Sequence, residues 1–157
     1  MNKPSAKRCA VWILVTEAAG FLSGFLNREG TRLYAQIIEK PPLSPPAWVF
    51  PVAWALLYAL MGAAAARIAN LSPSRERTAA LRLYGVQLAF NFLWSFLFFG
   101  LRAYGFAFFW LAALFALIVW TTLTFRELDR PAGYLLLPYL VWVAFAGYLN
   151  AGVWMLN

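Results

Sequence analysis

The chain has 157 residues, of which 63% are hydrophobic, 18% aromatic and only 12% charged, with a mean hydropathy of +0.66. That length suits one domain, here residues 1–157, but such a composition excludes an ordinary soluble one and places the chain in a membrane. The formal charge of +7 does not point to nucleic acid, because the basic residues punctuate apolar stretches instead of clustering in a patch.

A membrane-spanning helix needs roughly 20 apolar residues. The gaps between charges supply five candidates, at about 9–26, 47–66, 83–101, 103–125 and 131–156. None shows the strict apolar/polar alternation of a transmembrane barrel, so the predicted fold is an all-α membrane protein, a bundle of five transmembrane helices. Counting alternate sides gathers Lys3, Lys7, Arg8, Arg67, Arg75, Arg77, Arg82, Arg126 and Arg130 at one end, and Arg28, Arg32, Lys40 and Arg102 at the other. The positive-inside rule then predicts a cytoplasmic amino terminus and an external carboxyl terminus. Short connections and a basic inner side favour a bacterial inner membrane.

The first span opens with Lys3, Lys7 and Arg8 before "CAVWILV", which is how a signal peptide begins. Its apolar run continues to Leu26, long enough to be kept as a helix. Glu17 is the one acid within the predicted spans, so it is expected to face the bundle interior or a wet cavity. Gly20 and Gly24 stand four apart, as do Gly85 and Ala89 in the third span, a spacing that permits close helix contact or a homodimer.

Residues 27–46 form a long outer loop. Leu33, Tyr34, Ile37 and Ile38 follow a helical spacing, which predicts a short amphipathic turn across the bundle mouth. Pro41, Pro42, Pro45 and Pro46 then hold the chain extended. The segment reads either as a stiff lid over a pocket or as a plain connector.

The second span sets Phe50, Trp54, Tyr58 and Met61 along one face, with Trp54 about two turns deeper than the interfacial Trp48. After "NLSPSRER", where Ser72 and Pro73 suit a helix entry, the third span carries Gln87, Asn91 and Ser95 on one face beside Trp94. Such amides serve either as interhelical glue or as the polar spot of a cavity. The fourth span adds only apolar character. The fifth starts at Pro131, a good first-turn residue, and aligns Pro138, Trp142, Phe145, Ala146 and Leu149. Trp12, Trp48 and Trp154 near span ends read as interfacial anchors. Trp54 and Trp142 lie deeper, where aromatic walls suit a planar hydrophobic ligand.

One cysteine, Cys9, leaves no internal disulfide, and the lack of histidine removes the commonest metal ligand, so no metal site is predicted.

The segments "PPAWVFPVAWALLYALMG", "QLAFNFLWSFLFFG" and "LLLPYLVWVAFAGYLNAGVWMLN" resemble, in order, the translocator protein family, also called the TspO/MBR or peripheral-type benzodiazepine receptor family. The resemblance implies a five-helix membrane protein, often dimeric, that binds tetrapyrroles such as protoporphyrin IX without requiring a cofactor, and in some members cholesterol or benzodiazepine-type drugs. Carried over by motif, the ligand pocket comprises Pro45, Phe50, Trp54, Tyr58, Asn91, Trp94, Trp142, Ala146 and Leu149. It also implies an alternative, light- and oxygen-dependent degradation of bound porphyrin with Trp54 and Trp142 as redox partners. A transporter of tetrapyrrole or sterol ranks last, since neither internal repeats nor a charged pathway is visible. The chain departs from the family pattern at Leu43 and Leu33, where tryptophans are usual, and no basic residue follows Leu149 to complete the sterol motif.

Overall fold

A computed structural model describes residues 5–157, so Lys3 falls outside it. The order is α1 (Ala6–Leu26), α2 (Arg28–Gln36), α3 (Val49–Ala69), α4 (Arg75–Ser95), α5 (Tyr104–Leu128), α6 (Arg130–Leu135) and α7 (Leu137–Leu156). A π-helical turn, Phe96–Gly100, continues α4. Five spans are long and apolar enough to cross a membrane: Ala6–Leu26, Val49–Ala69, Arg75–Gly100, Tyr104–Leu128 and Arg130–Leu156. There is no strand among the described residues.

Three boundaries differ from the sequence expectation, each for a local reason. The third span starts at Arg75 instead of residue 83, because Ser74, and not the Ser72–Pro73 pair, caps the helix. Its hydroxyl accepts the Arg77 N–H at 3.0 Å. Charges at Arg75, Arg77 and Arg82 are therefore inside the helix, where charge counting ended it. The fifth span is broken at Leu136, since Pro138 has no N–H for the carbonyl one turn earlier and the Leu136 N–H closes a tighter turn onto Gly133 at 3.2 Å. The amphipathic turn of the outer loop is a nine-residue helix, α2, separated from α1 by Asn27 alone.

α1 lies along α3, while α5 packs on α4, α6 and α7. Gly62 sets the α1–α3 spacing: a Cβ there would stand 2.6 Å from the Ile13 Cα and 2.9 Å from the Trp12 carbonyl oxygen. One end of the bundle is held by Arg67, whose guanidinium gives two hydrogen bonds to Asp129, Nε to Oδ1 at 2.8 Å and Nη2 to Oδ2 at 3.0 Å. Asp129 also caps α6 through the Ala132 N–H. Burial alone would raise the Asp129 carboxyl, but these bonds and the Arg67 charge hold it below the ordinary carboxylate value.

At the other end the proline segment is fastened to α7. The Asn157 side chain accepts from the Glu39 N–H at 3.1 Å and donates to the Glu39 carbonyl at 2.9 Å. The Tyr148 hydroxyl donates to the Pro42 carbonyl at 2.7 Å, and Gly152 leaves room for Pro41. Leu43 turns the chain with φ 66°, a left-handed conformation that favours glycine, and its side chain is 85% exposed.

Candidate functional site

An apolar cavity of about 580 Å³ opens among α1, α2, α3, the end of α4 and α7. It falls in the usual size range of small-molecule sites, about 300–1,000 Å³. Of the residues singled out in the sequence, Phe50, Trp54, Tyr58, Trp94, Trp142, Ala146 and Leu149 line it together. Helical phase explains the grouping, since Phe50, Trp54 and Tyr58 recur every fourth residue on α3, as Trp142, Ala146 and Leu149 do every third or fourth on α7.

The walls are aromatic and mutually braced. Trp54 and Trp142 meet edge to face with ring centroids 6.3 Å apart, Phe50 meets Trp142 at 6.1 Å, and Trp54 stacks on Tyr58 at 5.5 Å. Two polar atoms are buried here without a partner, the Trp142 Nε1 and the Ser23 Oγ. Both belong to residues that line the cavity. Among the described residues Glu17 and Arg28 are its two charged lining residues, so an otherwise greasy chamber carries one acid and one base.

Two sequence candidates are not on the wall. Asn91 is 1% exposed and sits behind Tyr58, whose hydroxyl donates to its Oδ1 at 2.8 Å. The Asn91 Nδ2 donates to the Tyr139 hydroxyl at 2.6 Å, and that hydroxyl donates to the Gln87 Oε1 at 3.0 Å. Of the two roles open to the amide stripe, the geometry gives Asn91 and Gln87 that of glue joining α3, α4 and α7; Ser95, one turn further, does line the cavity. Pro45 is also off the wall, because the proline segment runs along the end of α7 and not over the opening. The loop 27–46 thus divides: Asn27, Arg28, Thr31 and Tyr34 line the chamber, and the prolines form a strap.

Sequence reasoning expected Glu17 to face the interior or a wet cavity, and it does, but the wall around it was missed. α1 supplies Glu17, Gly20, Phe21, Ser23, Gly24 and Phe25. Gly20 is the nearest approach, since a Cβ there would run into the Tyr58 ring. The isolated acid and the two glycines were the available signals. Tyr34 was marked only by its amphipathic spacing, yet it is 6% exposed and packs against Phe50, Phe98 and Phe99 with centroids 5.6–5.9 Å away. Burial, with a smaller contribution from Tyr104, pushes its hydroxyl up to about 12, so it stays a neutral donor. Trp94 reaches the wall with its N–H already given to Asn150 at 3.1 Å, and Asn150 in turn bonds the Tyr104 carbonyl.

Comparison with known proteins gives the chain a family. The family model described as TspO/MBR family matches residues 12–155. The chain belongs to the TspO/MBR family. It is an integral membrane protein, and its TspO/MBR relatives span kingdoms: it is 40% identical over 147 residues to the translocator protein of Ovis aries, covering 92% of this chain and 86% of that one. It is 42% identical over 120 residues to the tryptophan-rich sensory protein of Cereibacter sphaeroides, covering 76% and 74%. With the tryptophan-rich protein TspO of Chlorobaculum tepidum it shares 35% over 141 residues, 89% of each chain. The TspO/MBR match covers residues 12–155, so every residue that lines the chamber lies within the family region.

Proposed function

We propose that the chain is a membrane binding protein for planar hydrophobic ligands of the tetrapyrrole class, protoporphyrin IX being the probe of choice. The observation that carries this reading is an aromatic-walled cavity of about 580 Å³ holding an unpartnered indole N–H, that of Trp142. A flat π-system slots between Trp54, Trp142 and Phe50, and a ring or side-chain oxygen or nitrogen accepts from Trp142. Arg28 offers a cation to a carboxylate at the rim. No cofactor is required for binding. The relative named a sensory protein fits a role in which occupancy is the signal.

The same proposal places the amino terminus and the basic end in the cytoplasm of a bacterial cell, and pairs two copies in the membrane. Its test is titration of the purified protein with protoporphyrin IX, read by quenching of tryptophan fluorescence. Saturable quenching at micromolar affinity, weakened at least tenfold by Trp142→Leu, is expected; linear quenching that ignores the substitution sinks the reading.

The edge-to-face contact of Trp54 with Trp142 favours one second reading, oxidation of the bound porphyrin in light and oxygen. The excited ring gives one electron to dioxygen, the oxidant, and the porphyrin cation and superoxide so formed combine into an oxygenated product; the adjacent indoles share the cation's missing electron and hold it long enough to react. Illumination of the complex would then yield a defined product that Trp54→Phe and Trp142→Phe suppress, whereas unchanged or randomly bleached porphyrin leaves a binding protein only.

A further inference from the structure

A second groove, of about 910 Å³, lies outside the chamber at the basic end, between the first two turns of α4 and the second half of α5. Arg75 and Arg82 line it from α4, seven residues apart, and Trp120 and Thr124 line it from α5. Neither arginine has an ion pair among the described residues, in contrast to Arg67 on Asp129. Arg126, by comparison, lies over the Tyr134 ring at 6.0 Å. Glu76 and Glu127 are near in sequence but do not line the groove, so among the described residues its walls hold two cations and no acid. Ser74 and Thr78 also line it, their hydroxyls engaged in the cap of α4: Ser74 accepts from the Arg77 N–H and Thr78 donates to the Ser74 carbonyl.

The depth of these groups is informative. The apolar run below Arg82 extends to Leu101, roughly 28 Å of helix, about the thickness of the hydrocarbon core. Arg82 therefore stands at the hydrocarbon boundary and Arg75 about 10 Å further out, which brackets the phosphate layer. Leu83 and Trp120, the latter 62% exposed, continue the groove toward the core.

We propose that this groove binds an anionic phospholipid, with its phosphate between Arg75 and Arg82 and the start of an acyl chain against Leu83 and Trp120. The site is independent of the chamber. Positive charge selects the headgroup, and the indole, amphipathic and outward-facing, suits the depth at which headgroup and chain meet.

The test is native mass spectrometry of the full chain released from mixed micelles of phosphatidylglycerol and phosphatidylcholine. The wild type is expected to retain phosphatidylglycerol preferentially. Arg75→Gln with Arg82→Gln should cut that preference roughly tenfold, more than threefold for each arginine. The isocharge control Arg77→Gln with Arg130→Gln, at the same end but off the groove, should leave it intact, and Arg75→Lys with Arg82→Lys should retain most of it. Equal losses in both glutamine pairs would mean diffuse surface attraction and overturn the site. Displacement of the lipid by millimolar inorganic phosphate would overturn the lipid assignment in favour of a free anion. A shift from dimer to monomer in the Arg75/Arg82 variant, with lipid preference unchanged, would make the groove a contact between copies and overturn it equally. Circular dichroism of each variant separates these results from loss of fold.

Discussion

The Tyr58 hydroxyl donates to the Asn91 Oδ1 at 2.8 Å, and the two residues divide their labour: Tyr58 turns its ring to the cavity, and Asn91 holds that ring from behind. Replacing Asn91 with Ala strands the Tyr58 hydroxyl and takes one donor from Tyr139, whose own bond to Gln87 remains. The expected cost is about 1–2 kcal/mol of stability, in keeping with the modest worth of interhelical bonds in membranes. Tyr58→Phe should cost less, and the double variant little more than Asn91→Ala alone. Thermal unfolding in detergent measures this coupling, and additive losses would refute it.

Trp142 separates ring from donor. Trp142→Phe keeps an aromatic ring but removes the unpartnered N–H together with the pyrrole part of the indole, so porphyrin affinity should fall by at least about fivefold, the worth of one hydrogen bond. Trp142→Leu should lose considerably more. Equal affinities for the Phe variant and wild type would show that the indole N–H does not meet the ligand.

Glycines test the missing wall. Gly62→Ala sets a Cβ against the backbone of Ile13 and Trp12, which cannot yield, so α1 must move and about 1–3 kcal/mol is lost. Gly24 has open space, and Gly24→Ala should be neutral within about 0.5 kcal/mol. Unfolding temperatures of the two variants give the comparison directly.

The ion pair of Arg67 with Asp129 makes stability depend on acid. The folded Asp129 carboxyl is held low, so its contribution is fully present above the unfolded value near 4 and is lost as pH falls through the folded value. Melting temperature should therefore drop below about pH 4 in the wild type by more than in Asp129→Asn. Asparagine keeps the cap on α6, so the difference reports the ion pair, about 1 kcal/mol or less for so accessible a pair. Parallel acid curves would mean that the pair contributes nothing.

The strap makes two opposite predictions. Leu43→Gly relieves a left-handed residue and should stabilise the loop by about 1 kcal/mol. Asn157→Ala removes both bonds to Glu39, and amide exchange at Glu39 should accelerate at least tenfold while the α3 core stays protected.

Composition, length and charge spacing determined, without coordinates, that five helices cross a membrane, and the ordered motifs placed the chain among its relatives. Helical phase also selected Phe50, Trp54, Tyr58, Trp94, Trp142, Ala146 and Leu149, because residues three and four apart must share a face whatever they face. What lies opposite a face was not legible. In lipid the outer surface of a helix is as apolar as its inner one, so hydrophobic pattern cannot say which side of α1 meets a partner, and a cavity wall made of Gly20, Ser23 and Gly24 looked like a packing motif. Asn91 had the right phase but lies one layer too deep, a matter of which ring stands in front of it. The prolines announced stiffness and left open where the stiff segment would lie; only the contacts of Pro41, Pro42 and Glu39 with α7 made it a strap. Local sequence dictates local geometry and face, while the partner across each face is chosen by long-range packing, and here that packing decided the chamber.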